Sequence, residues 1–263
     1  MPTRYLNLSA YAFVALADLP ARRDALYRQA HVCGLKGTVL LAEEGINLVV
    51  AGTEPGVRDW LARVREEPLL AALEAKESWS GRLPFRHLRV KVKREIIRMN
   101  QPQVQPRSSA AGRAPAIDAA TLKRWLDAGH DDSGREVLLL DTRNGFEVDA
   151  GAFAGRLDWR LKKFSDFPAA LKAHRGELEG RSVVSYCTGG IRCEKAALAM
   201  RDAGLDPVYQ LDGGVLRYFE RLPGAPHWQG RCFVFDSRET LGPDLAPPVG
   251  AAAAATDLLE TTR

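Results

Sequence analysis

The second half of the chain alternates short apolar segments with segments of helical periodicity. Residues 137–140, 183–186 and 207–211 are short and apolar enough to be strands buried on both faces. Parallel strands need a crossover, which is usually a helix, so this alternation predicts a parallel α/β sheet. In such sheets the functional groups lie at the carboxyl ends of the strands. Helices are predicted over residues 119–126, 164–173, 193–203 and 215–221.

The first half has a different pattern. An apolar segment at 5–14 and a helical one at 20–33 precede two apolar runs, 39–42 and 46–51, which flank a Glu-Glu-Gly turn and predict a hairpin. Thr53 is placed to cap a second helix. Residues 88–99 begin with period-two alternation, which predicts a final strand. The order β-α-β-β-α-β predicts a ferredoxin-like α+β sandwich.

A proline-rich stretch separates these halves and suggests the domain boundaries. We expect an α+β domain over 1–99 (of acylphosphatase-like type), a linker over 100–118 and an α/β domain over 119–223. A C-terminal extension, 224–263, follows. It contains a strand at 232–236 and ends in an Ala/Pro-rich tail that we expect to be disordered.

Composition narrows the function classes only modestly. No run approaches the ~20 apolar residues of a membrane span, and residues 1–9 lack the apolar core of a signal peptide, so we expect a cytoplasmic protein. Four cysteines are too few for a disulfide scaffold. The five histidines are dispersed, and no metal site is predicted.

The segment VVSYCTGGIRCEKAALAM, residues 183–200, carries the strongest chemical signal. Cys187 stands at a predicted strand end and begins a loop of Thr188, Gly189, Gly190, Ile191 and Arg192. Adjacent glycines let successive amides turn toward one point, and the following helix directs its positive end to the same place. These are conditions that lower a cysteine pKa. The loop therefore predicts a nucleophilic thiolate, although a buried structural cysteine is the simpler alternative.

The spacing of the loop bears on its chemistry. Arg192 follows Cys187 by five positions, one fewer than in cysteine-dependent phosphatases, so the ring of amides should be tight enough for a sulfur atom rather than a phosphate. Cys193 is either a small packed residue, a resolving thiol or half of a transient disulfide. Asp141, at another strand end, is expected to hold loop geometry. Arg143 is expected to pair with Glu147 or to contact an anion.

Several motifs together resemble one family. GTVLLAEEGIN, RVKVKREII, DTRNGFEV, YCTGGIRCEKA, VYQLDGG and CFVFD occur in the order seen in the bacterial oxygen-dependent tRNA uridine hydroxylases, which contain a rhodanese domain. The resemblance covers roughly residues 5–240. It implies hydroxylation at C5 of the wobble uridine, giving 5-hydroxyuridine in tRNA. It also implies that Cys187 is the persulfide or redox cysteine and that Arg192 closes its loop and stabilises the thiolate.

Cofactors and partners follow partly from this resemblance. The residues show no GxGxxG after a strand, no P-loop and no facial triad, so no cofactor is identifiable, and only the resemblance implies O2 as co-substrate. On the residues alone, a cysteine-dependent sulfurtransferase is the favoured alternative, with a sulfur-donor protein as partner. A non-enzymatic module is a third reading. The family's cysteine-rich tail and its Asn-Pro stretch near 155–164 are both missing here.

A basic strand offers independent support for RNA. Six Lys or Arg residues and a single acid, Glu95, lie between Arg86 and Arg98. Within this tract Arg89, Lys91 and Lys93 share one face of a strand and are the candidate phosphate contacts. Alternating lysines on an exposed sheet are also common in proteins that bind no RNA.

Overall fold

The computed structural model describes residues 4–106 and 114–248. The chain divides into two compact units. The first comprises the residues up to Ile97 together with Val234–Glu239, and the second comprises Arg98–Phe233 with Thr240–Leu245. Part of the predicted linker and the whole Ala-rich tail lie outside the described residues.

The first unit is a five-stranded mixed sheet covered by two helices. Its strands follow the order β4-β1-β3-β2-β5, in which β5 runs parallel to β2 and the other neighbours are antiparallel. Four of them reproduce the ferredoxin-like arrangement. The elements are β1 (Tyr5–Phe13), α1 (Leu19–Val32), β2 (Lys36–Ala42), β3 (Gly45–Gly52), α2 (Glu54–Arg65), β4 (Ala75–Ser80) and β5 (Leu88–Val92).

The core of this unit lies between the sheet and the helices. Leu8, Val39 and Leu48 from the strands and Trp60 from α2 are fully or almost fully buried in one apolar cluster. Alternate residues on each strand therefore face the helices, which leaves the more polar set on the opposite face. The predicted hairpin and the predicted cap are confirmed, since the Thr53 side chain accepts a hydrogen bond from the amide of Gly56 at 3.4 Å.

The prediction of one final strand over 88–99 was wrong in two respects. The strand ends at Val92, and it lies at the edge beside β2, whereas the place beside β1 belongs to β4. The Lys93 amide still donates to the Leu41 carbonyl at 2.7 Å, but farther along the chain the Ile96 amide donates to the Glu44 side chain at 2.7 Å and does not join a ladder. The strand β4 escaped prediction because its sequence, AKESWS, lacks apolar alternation.

The second unit is built on a five-stranded, entirely parallel sheet, as predicted. The strand order is β6-β11-β10-β7-β9. Its elements are β6 (Ala116–Ile117), α3 (Ala119–Ala128), β7 (Val137–Asp141), α4 (Gly145–Ala150), β8 (Gly151–Phe153), β9 (Leu157–Asp158), α5 (Phe167–His174), β10 (Ser182–Tyr186), α6 (Ile191–Asp202), β11 (Val208–Leu211), α7 (Gly214–Arg221), β12 (Trp228–Gly230), β13 (Cys232–Phe233) and β14 (Thr240–Leu241).

The elements that were not predicted in this unit are short. The helix α4 has six residues, and β6, β8, β9, β12 and β14 have two or three, which is too few for a periodic pattern. The predicted strand at 232–236 was too long, since β13 ends at Phe233. Within the described parts of the chain, no helix is both long and apolar enough to span a bilayer.

Candidate active site

Cys187 lies at the carboxyl end of the central strand β10, in the loop that leads to α6. Its side chain is fully buried, and its sulfur accepts a hydrogen bond from the Gly190 amide at 3.1 Å. Of the two loop glycines it is Gly190 that takes a positive φ, 97°, and this lets its amide turn back toward the sulfur. The backbone amides of Arg192 and Cys193 also favour the ionised form of this sulfur. The predicted cradle of donors is present.

The start of α7 holds this loop from outside. The amide of Val215 donates to the Cys187 carbonyl and that of Leu216 to the Thr188 carbonyl, each at 3.0 Å. A side chain at Gly214 would prevent this approach, because its Cβ would lie 2.3 Å from the Cys187 oxygen, and φ there is 66°. With its carbonyls engaged on α7, the loop is free to direct its amides toward the sulfur.

Arg192 is fixed by a buried carboxylate. Its guanidinium donates to both oxygens of Glu147, at 2.6 and 2.7 Å, and Glu147 is fully buried in α4. The hydroxyl oxygen of Thr188 lies 3.3 Å from the same carboxylate. The second Glu147 oxygen also accepts from the Asn144 amide at 3.0 Å, which locks α4 to this pair. Arg192 thus brings positive charge to the loop without being solvated.

A second buried ion pair supports the neighbouring strand end. Arg143 donates to Asp141 from its amide at 3.0 Å, from Nε at 2.9 Å and from Nη2 at 2.6 Å. The expectation that Arg143 pairs with the Glu147 side chain or contacts an anion was wrong. Its side chain is fully buried on Asp141, and it reaches Glu147 only through the backbone oxygen, at 3.3 Å.

The thiols of the site differ in ionisation. Burial opposes ionisation of Cys187, but a hydrogen bond from Cys193, the charge of Arg192 and the loop amides together lower the pKa of Cys187 to about 5. Burial and the adjacent Cys187 sulfur raise the pKa of Cys193 well above its ordinary value. Burial also raises the pKa of Cys232 to about 12. At neutral pH the site therefore contains one thiolate, Cys187.

Comparison with known proteins connects this geometry to a family. Residues 5–96 match the UPF0176 acylphosphatase-like domain, and residues 118–220 match the rhodanese-like domain. A tRNA uridine(34) hydroxylase from Variovorax paradoxus is 58% identical over 95% of this chain and 93% of its own length. Those from Delftia acidovorans and Bordetella petrii are each 57% identical, over 92% and 95% of this chain and 90% and 98% of their own lengths.

The chain belongs to the tRNA uridine(34) hydroxylase family. The predicted two-part fold, a ferredoxin-like α+β unit followed by a rhodanese-like parallel α/β unit, is confirmed. In this family member six of the predicted residues form the loop that contains the Cys187 sulfur. Cys187, Thr188, Gly189, Gly190, Ile191 and Arg192 form the loop, and Asp141, Arg143 and Cys193 lie at or beside it. Their roles in a reaction stay predictions.

The predicted basic strand is β5, which belongs to the first unit. Lys91 and Lys93 are exposed, and Arg89 is half-buried. The register places Arg89 opposite Thr38 and Lys91 opposite Leu40, on the sheet face away from the helices. Arg89 and Lys91 share the predicted face, whereas Lys93 follows the end of β5 at Val92. Whether these residues contact RNA stays a prediction.

Three residues of the site were not predicted. From the sequence, Glu147 is expected only as a partner for Arg143, and Thr142 and Gly214 enter only as members of the DTRNGFEV and VYQLDGG motifs. The Gly-Gly pair after β11 offered a signal for Gly214, because two glycines before a helix permit a close backbone approach. Thr142 offered none, since its role depends on the distant Tyr186 carbonyl, to which its hydroxyl donates at 2.9 Å.

Proposed function

We propose that this chain hydroxylates uridine 34, the wobble position of tRNA. The observation that carries the proposal is identity of 52–58% to proteins named tRNA uridine(34) hydroxylase, extending over more than nine-tenths of this chain and so across both domains. The ionised Cys187 in its amide cradle supplies the reactive group that such a reaction can use.

The finer chemistry is part of the same proposal. The resemblance of the motifs implies that oxygen is added at C5 of the base and that O2 is the co-substrate. No resident cofactor is assigned to the chain. Cys187 would act as the redox or persulfide-bearing sulfur, and Arg192, neutralised by Glu147, would hold the loop around it.

The substrate is a large polyanion, which gives the exposed cations of the first unit a role. Lys91 and Lys93, with Arg89 beside them, would neutralise phosphates of the tRNA. A tRNA substrate also favours the cytoplasm as the compartment of the reaction.

Sulfur transfer is the second candidate function. The observation that favours it is the cradle itself, because amides and a cationic side chain around a thiolate are suited to hold a further sulfur atom on Cys187. In that case the Cys187 thiolate attacks the sulfane sulfur of thiosulfate, which releases sulfite, or that of a donor protein's persulfide, which releases the donor thiolate. The outer sulfur of the Cys187 persulfide is then passed to an acceptor.

Nucleoside mass spectrometry of tRNA tests the first proposal. A deletion strain should lack 5-hydroxyuridine derivatives at position 34, and wild type but not Cys187→Ser should restore them. Unchanged derivatives in the deletion strain would remove the hydroxylase proposal. Restoration by Cys187→Ser would remove only the role of the cysteine.

An assay with thiosulfate as sulfur donor and cyanide as acceptor tests the sulfur-transfer proposal. Thiocyanate formation that is abolished by Cys187→Ser would support sulfur transfer. The same rate in wild type and variant would exclude a Cys187 persulfide as the carrier.

A further inference from the structure

Two free thiols meet inside the cysteine loop. Cys187 and Cys193 are both free and completely buried, and the Cys193 side chain is the strongest of the influences that lower the pKa of Cys187. Cys193 lies in the first turn of α6, where its amide donates to the Gly190 carbonyl at 3.1 Å. Its sulfur also lies 3.8 Å from the Thr142 hydroxyl oxygen.

The proton on Cys193 is held in a defined place. The Thr142 hydroxyl already donates to the Tyr186 carbonyl at 2.9 Å, so its oxygen is left to accept. The Cys193 thiol therefore has two acceptors, the Thr142 oxygen and the Cys187 sulfur. The loop therefore holds an ionised sulfur and a protonated one, which is the combination needed for one to be oxidised and the other to resolve it.

Cys193 is the thiol placed to pair with Cys187. Both side chains belong to the loop and the first turn of α6, and both are completely buried. Neither of the other cysteines shares this position. Cys232 directs its sulfur toward the Phe233 carbonyl at 3.7 Å, and Cys33 belongs to the first unit, where it contacts Asp59 at 3.3 Å.

We propose that Cys187 and Cys193 together supply the two electrons that oxygen-dependent hydroxylation consumes. Inserting one atom of O2 into a C–H bond requires that the other atom be reduced to water by two electrons and two protons. Oxidation of the Cys187 thiolate and the Cys193 thiol to a disulfide provides both electrons and one of the protons, and solvent provides the other proton. The proposal rests on the proposed hydroxylase function and assigns Cys193 as the resolving thiol.

The overall step balances. Uridine, O2 and the two thiols give hydroxyuridine, water and a Cys187–Cys193 disulfide. The base C–H, the O–O and the Cys193 S–H bonds break, and a C–O–H group and the S–S bond form. Because Cys187 is already ionised, the water takes one proton from Cys193 and one from solvent. A dithiol reductant then restores the thiols by thiol–disulfide exchange, which readies the chain for another turnover.

A single-turnover experiment tests this. The fully reduced full-length protein, freed of small thiols, is mixed with unmodified tRNA in air and in argon. We expect up to one hydroxyuridine per chain in air, with an equal amount of Cys187–Cys193 disulfide found by peptide mass spectrometry after alkylation of free thiols. In argon we expect neither product nor disulfide.

Cysteine variants test whether Cys193 is required for the single turnover. Cys193→Ser and Cys193→Ala should form less than a tenth of the wild-type product without added thiol, and a folded state is checked by circular dichroism. Cys33→Ser should match wild type in product and disulfide. Stoichiometric product with both thiols still reduced, or full product from folded Cys193→Ser, would overturn the proposal.

The hydroxylase function is judged separately. If wild type forms no hydroxyuridine even with excess dithiol over many turnovers, the proposed function itself fails. If wild type turns over with dithiol but forms no disulfide in the single turnover, only the electron source assigned here is wrong.

Discussion

The charge of a single sulfur is decided by its immediate neighbours. Burial by itself would keep Cys187 protonated, yet amide donors, the Cys193 thiol and the Arg192 guanidinium outweigh it. Arg192 can lie beside the sulfur in a dry site only because Glu147 neutralises it. The Glu147 carboxylate therefore stabilises the Arg192 guanidinium, which in turn stabilises the Cys187 thiolate.

The ionisation of Cys187 can be followed with pH. Its pKa of about 5 in the folded chain lies below the ordinary thiol value of about 8.5. Between these values the folded state binds fewer protons than the unfolded state, so this group's contribution to stability rises with pH and is lost as pH falls through 5. Thiolate absorbance in the ultraviolet should titrate near pH 5 in wild type and lack that step in Cys187→Ser.

Removal of the charge on Glu147 should be costly. In Glu147→Gln the buried Arg192 guanidinium loses its bidentate carboxylate partner and keeps only the Cys187 thiolate as a nearby negative charge, and breaking a buried pair in this way costs about 3–5 kcal/mol. The free energy of unfolding of the second unit, from urea denaturation, measures the loss. The control is Glu179→Gln, which removes a solvent-exposed partner of Arg175 and should cost at most about 1 kcal/mol. Equal losses would contradict this account of Glu147.

At the scale of elements, the loop depends on where α7 begins. Two hydrogen bonds from the first residues of α7 hold the loop carbonyls, and only a glycine at Gly214 permits that contact. The buried Arg192–Glu147 pair similarly binds α4 to the start of α6. Arg143, which pairs with Asp141 at the end of β7, donates to the Glu147 carbonyl of α4 at 3.3 Å. The cradle is therefore a product of four elements, although its sequence motif lies in one.

A comparison with Gly224 separates the effect of close packing at Gly214 from the effect of backbone strain. Gly214 and Gly224 have similar positive φ values, 66° and 77°, but an added Cβ meets backbone within 2.3 Å at Gly214 and nothing within 4 Å at Gly224. Gly224→Ala should cost about 1–3 kcal/mol from strain. Gly214→Ala should cost more and displace the loop, so that the Cys187 pKa moves upward. Thermal unfolding and the thiolate titration measure both effects, and indistinguishable variants would contradict the packing argument.

At the scale of the whole molecule, the chain combines a thiol site in the second unit with a basic strand in the first. Charge reversal of Arg89, Lys91 and Lys93 to Glu should weaken tRNA binding and reduce its dependence on salt, by a slope of roughly 0.7–0.9 for each phosphate that the protein no longer neutralises. Filter binding over a range of salt concentrations measures both quantities.

A charge-matched control tests whether position matters. Arg23, Arg28 and Arg63 are exposed on the two helices of the first unit, and reversal of all three makes the same change in net charge. This triple variant should retain most of the affinity and the salt slope of wild type. If its affinity falls as far as that of the strand variant, binding depends on net charge and not on the strand.

The sequence by itself determined the parallel sheet, the loop from Cys187 to Arg192 and the family, because strand periodicity and loop motifs are local patterns of residues. The place of β4 beside β1 was decided by tertiary structure, since its polar sequence carries no strand period. The same is true of the pairing of Glu147 with Arg192. Asp141 and Glu147 are both close to Arg143 in the sequence, so either could pair with it. Only the packing of α4 against the loop decides that Asp141 pairs with Arg143 and Glu147 pairs with Arg192.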